Sequence, residues 1–111
     1  MIDSLNHLPR PDAGADTLAE RFADLAPPLN ARQAALESAR CLYCYDAPCV
    51  NACPTEIDIP GFIRSIAQEN VQGAAQKILS ANILGGSCAR VCPTEILCQR
   101  ACVRNNAQEC A

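Results

Sequence analysis

Apolar residues along this chain recur at the three- and four-residue spacing of helices, and no stretch alternates cleanly with the period of two that marks a strand. The expected fold is therefore all-α. Thr17, with Glu20 three residues on, forms a capping box ahead of Leu18, Phe22 and Leu25, which share one face, and Pro27 and Pro28 stop that helix. Asn30 followed by Gln33 is a weaker capping signal. The segment Ala31 to Leu42 is rich in helix formers, with Ala35, Leu36 and Ala39 on one side, and this helix delivers Cys41. Asp58 is placed to cap a helix with Pro60 in its first turn and Phe62, Ile63, Ile66 and Ala67 on its apolar face. A further helix runs from about Val71 to Ala81, with Ala74, Ala75, Ile78 and Leu79 as its periodic positions, and Gly85 and Gly86 end the segment before Cys88.

At 111 residues the chain is about one domain, too short for a second independent core. Residues 1–29 read as a cysteine-free lead-in with a short helix, irregular between Leu8 and Gly14, and residues 30–111 as the working unit. Nine cysteines in a chain of this size call for a staple of disulfides or metal. Disulfides need an oxidising compartment, but Met1 to Arg10 shows no apolar signal-peptide run, and an odd count leaves one thiol over. The expected location is cytoplasmic. The longest apolar candidate, Ile78 to Gly86, is interrupted by Ser80 and Asn82, so no membrane span is expected. A net charge of −3, one lysine and two phenylalanines offer neither a phosphate-neutralising patch nor a stacking surface, which argues against nucleic acid.

The cysteines carry the chemistry. Cys41, Cys44, Cys49 and Cys53, followed at once by Pro54, are spaced C-x2-C-x4-C-x3-C-P, close to the bacterial iron–sulfur run, and Cys88, Cys92, Cys98 and Cys102 form a second group. The two groups echo one another: Cys49, Cys53, Pro54, Thr55, Glu56, Ile57 is matched by Cys88, Cys92, Pro93, Thr94, Glu95, Ile96. In each, proline keeps the thiolate-bearing backbone from continuing a helix, and Thr55 and Thr94 can cap the next helical turn. A zinc finger or ribbon shows two close pairs separated by a longer loop. Four cysteines in one tight run favour two [4Fe–4S] clusters instead. In two-cluster ferredoxins the last cysteine of a run ligates the other cluster, so Cys41, Cys44 and Cys49 would share one centre with a residue of the second group while Cys53 crosses over. Such crossing also staples the chain, so the cluster-free form should fold poorly.

The run Arg40 to Cys53, the Pro54–Thr55 turn, Gly73–Ala75, and Cys88 to Thr94 with Cys98 and Cys102 resemble the N-terminal iron–sulfur domain of dihydropyrimidine dehydrogenase and of the small (β) subunit of glutamate synthase, a family of NAD(P)H-dependent oxidoreductases. The resemblance covers roughly residues 31–110. It implies an α-helical ferredoxin fold with two [4Fe–4S] clusters passing electrons between a flavin in the same chain and a redox centre elsewhere. It also implies a ligand set: Cys41, Cys44, Cys49 and Cys102 for one cluster, and Cys53, Cys92 and Cys98 for the other. The family's counterpart of Cys88 is usually not a ligand. In dihydropyrimidine dehydrogenase the last ligand is a glutamine at a position past Ala111, and Gln108 does not match it. Completion of the second cluster stays open between Cys88 and a residue beyond this sequence, and Cys110 is left unassigned.

No G-x-G-x-x-G fingerprint is present, so FAD and NAD(P)H would belong to a missing remainder of the parent protein, and this piece is not expected to catalyse alone. The partners implied are that flavin/NAD(P)H-binding domain and a second oxidoreductase subunit. Two rivals remain, a structural zinc-binding interaction module and a free-standing ferredoxin. Arg40 and Arg90, each near a cysteine, could raise a cluster potential by their charge, although surface arginines are the commoner case.

Overall fold

The capping pattern sets where the chain turns helical. The computed structural model describes residues 19–106, in which every regular element is helical and no strand occurs. Thr17, Leu18, Gln108 and Cys110 lie outside the described residues. The expected first helix is seen only over residues 19–21, and it does not continue to Pro27. Phe22 and Leu25 are fully or nearly exposed, so the apolar face read from them packs on none of the described residues.

Helix α1 (Ala31–Ser38) opens on the Asn30–Gln33 capping box, with both reciprocal bonds made at 2.9 and 3.0 Å. It ends at Ser38, short of the expected Leu42, and Cys41 comes after it on irregular backbone. Its inward side is Ala34 and the buried Ser38, while Ala35, Leu36 and Ala39 face solvent, so the expected apolar face is rotated out. Ser38 is tolerated inside because its hydroxyl donates to the Ala35 carbonyl at 2.7 Å.

Helix α2 (Pro48–Ala52) has proline in its first turn. Helix α3 (Ile59–Ala67) begins where Asp58 accepts from the Gly61 N–H, and α4 (Val71–Ala81) where Asn70 accepts from the Gly73 N–H. Between them Glu69 sits at φ 59°, with the Asn70 N–H reaching the Ser65 carbonyl and the Glu69 N–H reaching Ile66. This is the tight left-handed helix ending usually given to glycine. The α3–α4 hairpin closes over two small residues, Ser65 and Ala74, and Lys77 of α4 donates to the Ser65 hydroxyl across the pair.

Gly85 and Gly86, expected to terminate a segment, instead begin α5 (Gly85–Val91), the helix that carries Cys88. Space explains it: a β-carbon on Gly85 would lie 2.6 Å from Ile78 Cγ2 on α4, so only glycine lets the two helices approach there. A 3-10 turn (Thr94–Ile96), α6 (Cys98–Ala101) and α7 (Val103–Asn106) complete the order. Helix α1 packs on α3, and α2 packs on α6, so the two cysteine groups meet across the α2–α6 contact. Among the described residues the buried positions are all small, namely Ser38, Ala47, Ser65 and Ala74, and no large side chain is fully buried. No helix among them is long and apolar enough to cross a membrane.

Candidate metal centre

Three cysteines share one local geometry. Cys53, Cys92 and Cys102 each end a short helix in extended conformation, with φ, ψ of −75°, 123°, −68°, 127° and −59°, 133°, and each donates its N–H to the carbonyl of the cysteine four residues earlier. Before Pro54 and Pro93 that conformation results from the clash of the proline ring with the preceding residue. Cys102 precedes Val103 and adopts it without proline. The sequence repeat therefore exists as two matching turns, and a third copy lies at Cys98–Cys102, where the missing Pro-Thr hides it. Neither Thr55 nor Thr94 caps a helix, contrary to expectation. The Thr55 hydroxyl lies 3.6 Å from the Cys53 sulfur, the Thr94 hydroxyl 3.2 Å from Gln99 Oε1, and Asp58 does the capping after the first turn.

All eight cysteines among the described residues are free, half-buried thiols. Burial pushes the Cys49 thiol above its ordinary value, and the thiolate charges of Cys102 and Cys41 push the same way against the Val50 N–H. Burial likewise raises Cys98, with Cys92 and Cys53 adding charge against the Gln99 N–H. The charge contacts thus fall into two groups, Cys41–Cys49–Cys102 and Cys53–Cys92–Cys98. Cys53 departs from the pattern: burial raises its thiol, but the N–H of Ile57, the Thr55 hydroxyl and the N–H groups of Thr55 and Glu56 outweigh it, so its value falls below the usual 9.0.

Cys44 is half-buried on the loop of Cys41, where Tyr43 stands at φ 52° and sends its N–H to the Cys41 sulfur at 3.4 Å. The Arg64 guanidinium of α3 lies 4.8 Å above the Tyr43 ring and holds this loop against the helix. Cys88 is placed differently, since its sulfur accepts from Asn82 Nδ2 at 3.1 Å. Arg40 and Arg90 take their surface role, pairing with Glu37 at 3.0 Å and with Asp24 at 3.1 Å.

A cleft of about 670 Å³ opens among α1, α2, α3, α6 and α7, and Cys41, Cys49, Cys98 and Cys102 line it together with Phe62, Ile63 and Arg104. Among the described residues no three cysteine, histidine or carboxylate side chains converge tightly enough for a single metal ion. A cubane cluster asks for less convergence, one thiolate at each of four iron corners, and the donor set here is soft sulfur throughout. The Nε of Arg104 is sealed from solvent at the cleft and has no partner among the described residues, so those residues leave this donor unsatisfied. These are features an anionic sulfur-rich group would satisfy. Sequence reading missed Tyr43, which occupies a variable position of the Cys41-x2-Cys44 motif, and Arg64, Asn82 and Arg104, which belong to no motif. The Cys98-x3-Cys102 copy shares only its cysteine spacing with the other two.

Residues 18–111 match the family described as dihydropyrimidine dehydrogenase domain II, 4Fe-4S cluster. The chain is 52% identical over 81 residues to the NAD-dependent dihydropyrimidine dehydrogenase subunit PreT of Escherichia coli K12, covering 73% of this chain and 20% of that protein. The PreT of Salmonella typhimurium LT2 is also 52% identical, over 82 residues, 74% of this chain and 20% of its own. The glutamate synthase [NADPH] small chain of Halomonas elongata is 34% identical over 92 residues, 83% of this chain and again 20% of that protein. This chain therefore spans about one fifth of the length of these curated relatives.

Proposed function

Because the chain belongs to the dihydropyrimidine dehydrogenase 4Fe-4S domain family, we propose that it relays electrons through two [4Fe–4S] clusters between a flavin/NAD(P)H module and another redox centre. Each cluster supplies one-electron chemistry, and the protein's part is to hold it, tune it and keep water from it. Cys41, Cys44, Cys49 and Cys102 hold the first. Cys53, Cys92 and Cys98 hold the second, with its fourth ligand outside this set. The observation that carries this reading is the packing of α2 on α6, which brings the two cysteine runs together so that Cys41 and Cys49 line one cleft with Cys98 and Cys102. Each ligand set draws its members from both runs, as crossed ligation requires.

The side chains and backbone around the sulfurs have distinct tasks. The helix-ending turns at Cys53, Cys92 and Cys102 fix the direction of each sulfur, and the amides beyond Cys53 stabilise its thiolate for ligation. Cys88, whose sulfur accepts from Asn82, is kept outside both sets, as the family resemblance implies. Residues 30–111 form the two-cluster unit, in an α-helical ferredoxin arrangement, and residues 1–29 lead into it. The relatives' names, an NAD-dependent subunit and an NADPH-dependent small chain, support a flavin/NAD(P)H domain on the same parent chain and a partner oxidoreductase subunit.

Anaerobic expression with iron and acid-labile sulfide counted per chain tests this, alongside spectra before and after dithionite. About eight of each with a bleachable brown band is expected. A colourless, zinc-loaded protein refutes the relay.

A further inference from the structure

Two residues beyond Cys102, on α7, stands the cationic side chain of Arg104. Its Nε–H is shut off from water and meets no acceptor among the described residues, although the side chain lines the same cleft as Cys41, Cys49, Cys98 and Cys102, three of which belong to the first ligand set and the last of which lies two residues before it. A buried donor left bare is costly, the more so when it belongs to a charged group. A charged guanidinium held this way needs an acceptor in the cleft. The nearby carboxylates do not provide it: Glu37 is engaged by Arg40 at 3.0 Å, and Glu95 is exposed. The Thr94 hydroxyl is taken up with Gln99. What the cleft does concentrate is sulfur, and thiolate sulfur bound to iron remains a hydrogen-bond acceptor.

We infer that Arg104 donates its Nε–H to sulfur of the cluster held by Cys41, Cys44, Cys49 and Cys102 and sets that cluster's reduction potential above that of its neighbour. This rests on the two-cluster reading and adds a tuning residue to it. Reduction adds negative charge, and a fixed cation with a hydrogen bond to sulfur favours the more negative state. Arg104 is thus a positioning and tuning residue, with no ligand role, and it makes one of two similar sites the better electron acceptor. Electrons arriving at the pair would rest on the cluster beside Arg104.

The test is a redox titration of the cluster-loaded protein, monitored by the EPR signals of the reduced clusters, for the unaltered chain, Arg104→Lys and Arg104→Met. Iron and sulfide are counted in each sample. For Arg104→Met, the ratio of reduced to oxidised first cluster at a fixed poise should fall about tenfold, equivalent to about 59 mV for a one-electron couple. Arg104→Lys, which keeps the charge but loses the Nε–H, should show a smaller fall in the same direction, and the second cluster should not move. Full iron content with unchanged ratios in both variants overturns the inference and leaves the two-cluster reading standing. Equal shifts of both clusters overturn it too, as does loss of iron from both variants, which makes Arg104 a building element. An unaltered chain that takes up no iron overturns the cluster reading and the inference together.

Discussion

Two adjacent glycines at the start of α5 offer a test in which the same substitution has opposite signs. Neither Gly85 nor Gly86 has positive φ, so alanine suits the backbone at both. In a helix the exchange gains about 0.5–1 kcal/mol, by restricting the unfolded chain and raising propensity. At Gly86 a β-carbon meets nothing within 4 Å, and the gain should appear in full. At Gly85 the new carbon would stand 2.6 Å from Ile78 Cγ2, a branch methyl that cannot swing away without changing rotamer. Overpacking of this kind costs about 1–3 kcal/mol, so the net effect is a loss of about 1 kcal/mol and the two variants should differ by about 2. On a small domain that separation corresponds to about 8–16 °C. The assay is anaerobic thermal melting of cluster-loaded protein at one scan rate, by far-ultraviolet circular dichroism, with the visible band recorded in parallel. Because α5 leads directly to Cys92, the Gly85→Ala protein should also bleach first. In an Ile78→Ala background, Gly85→Ala should become neutral or stabilising, which isolates the contact as a double-mutant coupling. Equal shifts at the two glycines, or a Gly85→Ala loss that survives removal of the Ile78 side chain, would refute the close-approach argument.

Cys88→Ser should retain the iron of the unaltered chain, whereas Cys92→Ser should lose iron, as read by metal analysis of anaerobic preparations. Glu69→Gly should raise stability by about 0.5–1 kcal/mol by relieving the left-handed position after α3, measured as a higher melting temperature. Cys49 and Cys98 lie above the usual thiol value of 9.0, so the folded chain favours their neutral form while ligation needs the thiolate. Protons therefore compete with iron more strongly as pH falls, and iron removal by a chelator should quicken steadily from pH 9 towards pH 6; a flat profile would count against these two as ligands.

The helices with a side-chain cap were readable in advance. Asn30–Gln33 and Asp58 mark their starts because a cap is a local hydrogen bond, complete within four residues, and Val71–Ala81 is set by periodicity over three turns. Burial direction was harder, because it depends on partners distant in sequence. Leu36 looks like a core residue in its own helix, yet α1 meets α3 through Ala34 and Ser38. Gly85 and Gly86 read as a stop, since glycine at a helix end and glycine under a neighbouring helix look alike until α4 is in place. The cysteine pattern was legible down to the repeat. Its third copy was not, because proline and threonine had become the markers and Cys102 lacks both. Arg104 carries no sequence signal at all: its meaning comes from a cavity assembled by five helices.

The interior built from alanine and serine bears on how this chain would be policed in a cell. Most domains that lose a prosthetic group keep a greasy centre and persist as a partly folded shell. Here the described residues bury no large side chain, and apolar groups such as Leu36, Ile83 and Val91 already face outward. A copy stripped of its inorganic filling would retain little to hold its short helices together and would open to proteases over most of its length. Limited proteolysis of air-exposed against anaerobic protein should show this as wholesale digestion instead of a few nicks. Damage by oxygen would then erase the molecule and leave no idle, electron-leaking remnant in the pool.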